Sequence, residues 1–164
     1  MKKTQILGFC TVGLGLFGLM FWLFLSGCSY SISEAGVEGS SSAFGCEMIF
    51  GGNLEYTVEG ITDSASKAFK FSVLFVGFIA AIAGIVASVL AVAGVKTKVL
   101  SIVALSCFVV AALFCFLTKI ACNPIEGGRE ALKQFHLGIG AILGGICFVG
   151  AGVTSILPVV LKEN

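Results

Sequence analysis

Residues 71–95 read FSVLFVGFIAAIAGIVASVLAVAGV, twenty-five positions between Lys70 and Lys96 without a single charge. An α-helix rises about 1.5 Å per residue, so about 20 such residues already cross the ~30 Å of a bilayer's hydrocarbon core. Gly77, Ala80, Ala81, Gly84, Ala87, Ser88, Ala91 and Gly94 recur in this run at three- and four-residue steps. That is the period of a helix face and not the two-residue alternation of a strand. In lipid the backbone has to satisfy its own hydrogen bonds, which a continuous helix does.

The same punctuation by charge organises the rest of the chain. No charged residue lies between Lys3 and Glu34, between Lys98 and Lys119, or between Lys133 and Lys162. Each gap predicts one apolar core: Ile6–Leu25, Val99–Thr118 and Leu137–Leu161, beside Phe71–Val95. Of 164 residues, 57% are hydrophobic and 12% charged, and the mean hydropathy is +1.07. A soluble domain carries about a quarter charged residues, so that class is excluded. A net charge of +1 leaves no basic footprint for a nucleic acid. The expectation is an all-α integral membrane protein, a left-handed antiparallel bundle of four transmembrane helices with a small β-hairpin in its first extracytoplasmic loop. Its segments are a first helix over 1–27, an extracytoplasmic loop over 28–66, a second helix over 67–95, a turn over 96–98, a third helix over 99–119, a second loop over 120–136, and a fourth helix with its tail over 137–164.

Four spans put both termini and the 96–98 turn on one side. The basic residues are tied, with Lys2, Lys3, Lys96, Lys98 and Lys162 on that side and Lys67, Lys70, Lys119, Arg129 and Lys133 on the other. The first five are packed into three very short segments beside helix ends, the pattern that marks the cytoplasmic side. The expected location is the plasma (inner) membrane with both termini cytoplasmic. The opposite side also holds Glu34, Glu38, Glu47, Glu55, Glu59, Asp63, Glu126 and Glu130, and is net acidic.

In the first loop, the Ser- and Gly-rich Ser29–Gly45 reads as a flexible tether. The runs Cys46–Phe50 and Leu54–Glu59 flank Gly51, Gly52 and Asn53, a hairpin signal. Thr62 or Asp63 would then cap the second spanning helix.

Helices in lipid associate through close backbone approach at small residues. Gly77, Ala81, Gly84, Ser88 and Ala91 are the expected contact positions of the second span, and Gly140, Gly144 and Ala151 those of the fourth, where Gly140 and Gly144 form a GxxxG step. Gly8, Thr11, Gly15 and Gly18 in the first span and Ser101, Ala104, Cys107, Ala111 and Cys115 in the third continue the pattern. An intramolecular bundle is the direct reading, a homo-oligomeric face the alternative. No Asp, Glu, Lys or Arg lies inside any span, whereas ion-coupled carriers and proton relays need such groups. His136, the single histidine, falls at a helix boundary and supplies too little for a catalytic relay or a multi-histidine metal site. No cofactor is expected.

Of seven cysteines, Cys10, Cys107, Cys115 and Cys147 lie within spans, while Cys28, Cys46 and Cys122 lie outside, where oxidation is possible. Cys46 and Cys122 are the expected disulfide, since both outer loops leave the same end of the bundle. Closing the intervening loop would stabilise the fold by about 3–5 kcal/mol. Cys28–Cys46 is the competing pair. A thiol oxidase would need a Cys-x-x-Cys pair, which is absent.

Leu25-Ser26-Gly27-Cys28, after Lys2-Lys3 and an apolar run, resembles the lipobox of bacterial lipoproteins. That resemblance implies acylation of Cys28 and removal of 1–27 as a signal, and the alternative is an ordinary first span. The order of span, long loop, span, tight turn, span, short loop and span is similar to that of claudin-type four-span proteins. Their first-loop Trp-Gly-Leu-Trp-Cys-Cys pattern is missing, the one tryptophan being Trp22, so only architecture is implied.

The expected function is a non-catalytic membrane subunit or scaffold that offers its extracytoplasmic loops to a membrane or extracytoplasmic protein partner. A small channel or carrier lined by Ser, Thr and Gly is the alternative, as is a lipid-anchored envelope protein if Cys28 is acylated. Ser88, Ser106, Thr118 and Thr154 converging on a wettable cavity would favour transport, and a dry Gly/Ala interior the scaffold.

Overall fold

The computed structural model describes residues 3–34, 37–50, 54–58, 61–65, 73–95, 97–121 and 135–161. Four helices dominate: α1 (Lys3–Phe24), α3 (Leu74–Val92), α4 (Thr97–Ala121) and α5 (Ile139–Val160). All four are long and apolar enough to cross a membrane. Between α1 and α3 lie β1 (Ser26–Glu34), β2 (Val37–Phe44), the short helix α2 (Gly45–Phe50), β3 (Leu54–Val58) and β4 (Ile61–Ala65), and β5 (Phe135–Leu137) precedes α5.

The helices form a ring in which α1 touches α3, α3 touches α4, α4 touches α5 and α5 touches α1. Every neighbouring pair is antiparallel, as the facing residues show. Gly77 meets Phe114 and Gly84 meets Phe108, while Gly18 meets Phe148, Gly144 meets Trp22, and Gly152 meets Leu105. At each of these glycines the facing helix comes within close contact of where a methyl group would stand. A methyl group built on Gly140 would stand 2.6 Å from the Phe21 carbonyl oxygen and 2.7 Å from Leu25 Cβ. Large apolar side chains such as Phe17, Ile79, Leu113 and Ile146 point outward.

The turn between α3 and α4 is fixed by backbone geometry. Gly94 has φ of +89°, its N–H donates to the Ala91 carbonyl at 3.1 Å, and the Val95 N–H donates to the Leu90 carbonyl at 3.1 Å. This pair of bonds is a Schellman motif, and its left-handed residue is most readily glycine.

The strands form one antiparallel sheet in the order β4-β3-β2-β1-β5. Cys28 on β1 is paired on both sides, with Ala43 on β2 and Leu137 on β5. The sheet is tied to the helices through Gly138, whose N–H donates to the Gly27 carbonyl at 2.9 Å, and through Gly45, whose N–H donates to the Leu25 carbonyl at 3.3 Å.

Several expectations for the first loop are corrected. Ser29–Gly45 is not a tether: its residues pair as β1 and β2, from Ser29 with Ser42 to Glu34 with Val37. Cys46–Phe50 is not a hairpin strand but lies in α2. The Glu47 carboxylate accepts the Phe44 N–H at 3.0 Å, the reciprocal half of a capping box, and Met48 and Ile49 are buried. Thr62 and Asp63 belong to β4, paired with Thr57 and Tyr56, and cap no helix. His136 sits in β5 opposite Ser29 rather than at a helix end. The expected turn at 51–53 lies outside the described residues.

Candidate functional site

The first residues of α1, the α3–α4 turn and the last residues of α5 meet at one end of the bundle, opposite the sheet. Between them opens a cavity of about 510 Å³ to which all four helices contribute. Its polar wall is Gln5, Thr11, Ser88, Thr97, Ser101 and Ser155, and its apolar wall includes Ala91, Val92, Ala104 and Pro158.

The buried hydroxyls here are mostly committed to backbone carbonyls. Ser88 Oγ donates to Gly84 at 2.8 Å, and Ser155 Oγ donates to Gly152 at 2.7 Å. Thr11 Oγ1 lies 3.0 Å from the Leu7 carbonyl and 2.9 Å from Thr154 Oγ1, which in turn donates to Gly150 at 3.0 Å. Such bonding back to the preceding turn is what Ser and Thr do in helices. It leaves their lone pairs, not their protons, for whatever occupies the space.

Phe108 lies one helical turn deeper in the bundle than Ala104, which lines this cavity. Its ring is fully buried and stands 3.0 Å from a methyl built on either Gly15 of α1 or Gly84 of α3. An α4 side chain thus lies across the bundle axis. Phe148 stacks on it at 6.2 Å, and Trp22 meets Phe148 edge-on at 6.2 Å. Beyond these rings the interior is densely packed: Trp22 reaches Gly77 and Phe114 abuts the same glycine. Thr118 is buried there, with its hydroxyl on the Phe114 carbonyl at 3.0 Å. Trp22 Nε1 is buried with no hydrogen-bond partner.

The four hydroxyls that would mark a transport path therefore do not converge. Ser88 lines the cavity, Ser106 is exposed and bonded to Ile102 at 3.1 Å, Thr118 lies beyond the aromatic rings, and Thr154 is held by Thr11. Gly77, Ala81, Gly84, Ser88, Gly140, Gly144 and Ala151 are buried, and Ala91 is half-buried on the cavity wall.

Cys28 is 3% exposed, between β2 and β5, and α1 packs along α5. Acylating that thiol would require the sheet to open, and removing 1–27 would remove one wall of the bundle; nothing in this arrangement favours the lipobox reading. Cys46 is a free, half-buried thiol in the first turn of α2 and does not open a strand as expected. Cys122 lies outside the described residues, so a bridge between the two forms no part of the described structure. Among the described residues no cluster of His, Cys, Asp or Glu could hold a metal ion.

The sequence signal for the aromatic closure was within reach. Phe108 and Phe148 are large residues flanked on their own helices by Ala104, Ala111 and Ala112, and by Gly144, Gly145, Ala151 and Gly152. Big side chains set among small ones on a packing stripe fill the axis of a bundle. Compared with known proteins, the chain matches no family model, and no characterised protein matches it in sequence.

Proposed function

We propose that this chain is a non-catalytic four-span membrane subunit that offers its sheet, on the extracytoplasmic side, to a protein partner. The reading is carried by the closure of the interior: Trp22, Phe108 and Phe148 fill the bundle axis between the cavity and the sheet. A channel or carrier needs a continuous or alternating path, and the buried polar side chains here are hydroxyls, with no ionisable group among those described.

In this reading the helices lie in the plasma (inner) membrane as a left-handed bundle, supported by small residues at three- and four-residue steps. Both termini and the α3–α4 turn are cytoplasmic, supported by the compact lysine clusters at that end. The sheet is then the part available to a partner.

The test is affinity purification from native membranes of the wild-type chain beside a Ser31→Pro variant, which breaks a ladder position in β1. A partner recovered in stoichiometric amount with wild type and lost with the variant, while the variant stays inserted, supports the proposal. Equal recovery with both, or no partner with either, contradicts it.

A further inference from the structure

We infer that the cavity at the terminal end of the bundle is a binding site for an uncharged polyol of about monosaccharide to disaccharide size. Four observations combine. First, the space of about 510 Å³ falls in the 300–1,000 Å³ range of small-molecule sites. Second, one turn deeper than the lining Ala104, the fully buried Phe108 packs between Gly15 and Gly84, so the space does not continue along the bundle axis and can be saturated.

Third, its polar wall is rich in acceptors. Ser88 and Ser155 give their protons to the Gly84 and Gly152 carbonyls, and Thr11 gives its own to Leu7 or Thr154. Gln5, Thr97 and Ser101 on the same wall carry donors as well, so a molecule that fits it must both donate and accept, as hydroxyl groups do. Fourth, among the described lining residues there is no carboxylate to balance a cation and no Lys or Arg to hold an anion. The apolar wall of Ala91, Val92, Ala104 and Pro158 suits the C–H faces of a pyranose or a glycerol backbone. Hydroxyls on one side of the ligand and C–H groups on the other match the two walls.

The inference rests on the closed interior but not on a partner for the sheet. The same head group could come from the aqueous phase or on a lipid chain, and the experiment separates the two. The chain is reconstituted in lipid nanodiscs with Ala91→Cys as reporter. Its reaction with methyl methanethiosulfonate is followed by peptide-resolved mass spectrometry, with the native Cys115 as internal reference.

The reporter should react faster than Cys115, which is fully buried beyond Phe108. Methyl α-glucopyranoside at about ten times its Kd should slow the reporter about tenfold, since labelling follows the unoccupied fraction. Betaine, which has no donor, should leave the rate unchanged. Protection by octyl glucoside at far lower concentration than by the methyl glucoside assigns a lipid-borne head group; similar potency assigns a free solute.

No protection by either glucoside, or equal protection by betaine, overturns the inference. Fast labelling of Cys115 instead contradicts the closed interior, whatever happens at the reporter. Wild type supplies a second readout free of the reporter. The methyl glucoside should raise its Tm with dose, and the rise should vanish in a Ser88→Ala, Ser155→Ala double variant that still unfolds cooperatively. An equal rise in both contradicts the site.

Discussion

The two halves of the bundle interior draw on the same residue types and reach different packing. On the sheet side of Phe108, α1 and α5 approach until Gly140 lies against the Phe21 carbonyl, and Trp22 and Phe148 fill what remains. On the terminal side, Val92 packs against Gly8, but no aromatic side chain is among the described residues that line the space, and about 510 Å³ stays open. The difference teaches that small residues alone do not make a dry bundle. They permit close approach where aromatic side chains fill the axis, and leave a hydroxyl-lined space where none does.

The largest test of this contrast is Gly140→Leu. The obstacle it meets is backbone, which cannot turn away, so a loss of about 3 kcal/mol or more is expected; thermal unfolding in detergent reads it. A stability near wild type would show that α1 and α5 do not approach there. Phe108→Ala comes next, with an expected loss of about 3–5 kcal/mol as in other buried Phe truncations. It should also let methanethiosulfonate reagents reach Cys115, which ties the energetic effect to the barrier between the halves. Unchanged Cys115 protection would place the barrier elsewhere.

Gly94→Ala should cost about 1 kcal/mol, because an L side chain is disfavoured at the left-handed turn position while a methyl there meets nothing within 4 Å. A much larger loss would point to packing rather than backbone strain. Smallest is Trp22→Phe. It removes an indole N–H that is buried without a partner and so offsets much of the lost packing, leaving a net change within about 1 kcal/mol. A large loss would mean that the N–H does have an acceptor.

The four helices were legible because each long charge-free run of the sequence holds one apolar helix. The sheet was not, and the reasons are local. Ser29, Ser31 and Ser33 alternate with Tyr30 and Ile32, a strand pattern that the bulk Ser/Gly composition obscured. Gly45, Met48 and Ile49, the buried face of α2, span too few residues for helical and strand periods to be distinguished. The pairing of β1 with β5 joins positions more than a hundred residues apart, and no local pattern encodes such a contact. Within the bundle, the stripes of small residues could be read from spacing, but spacing does not reveal which end lacks an aromatic filler.

The closed interior is tested most directly by solute flux. Reconstituted into liposomes at defined density, the wild-type chain should leave the permeation of glycerol and of small ions equal to that of protein-free liposomes. Permeation that rises in proportion to the amount of wild-type protein would contradict the closure by Trp22, Phe108 and Phe148.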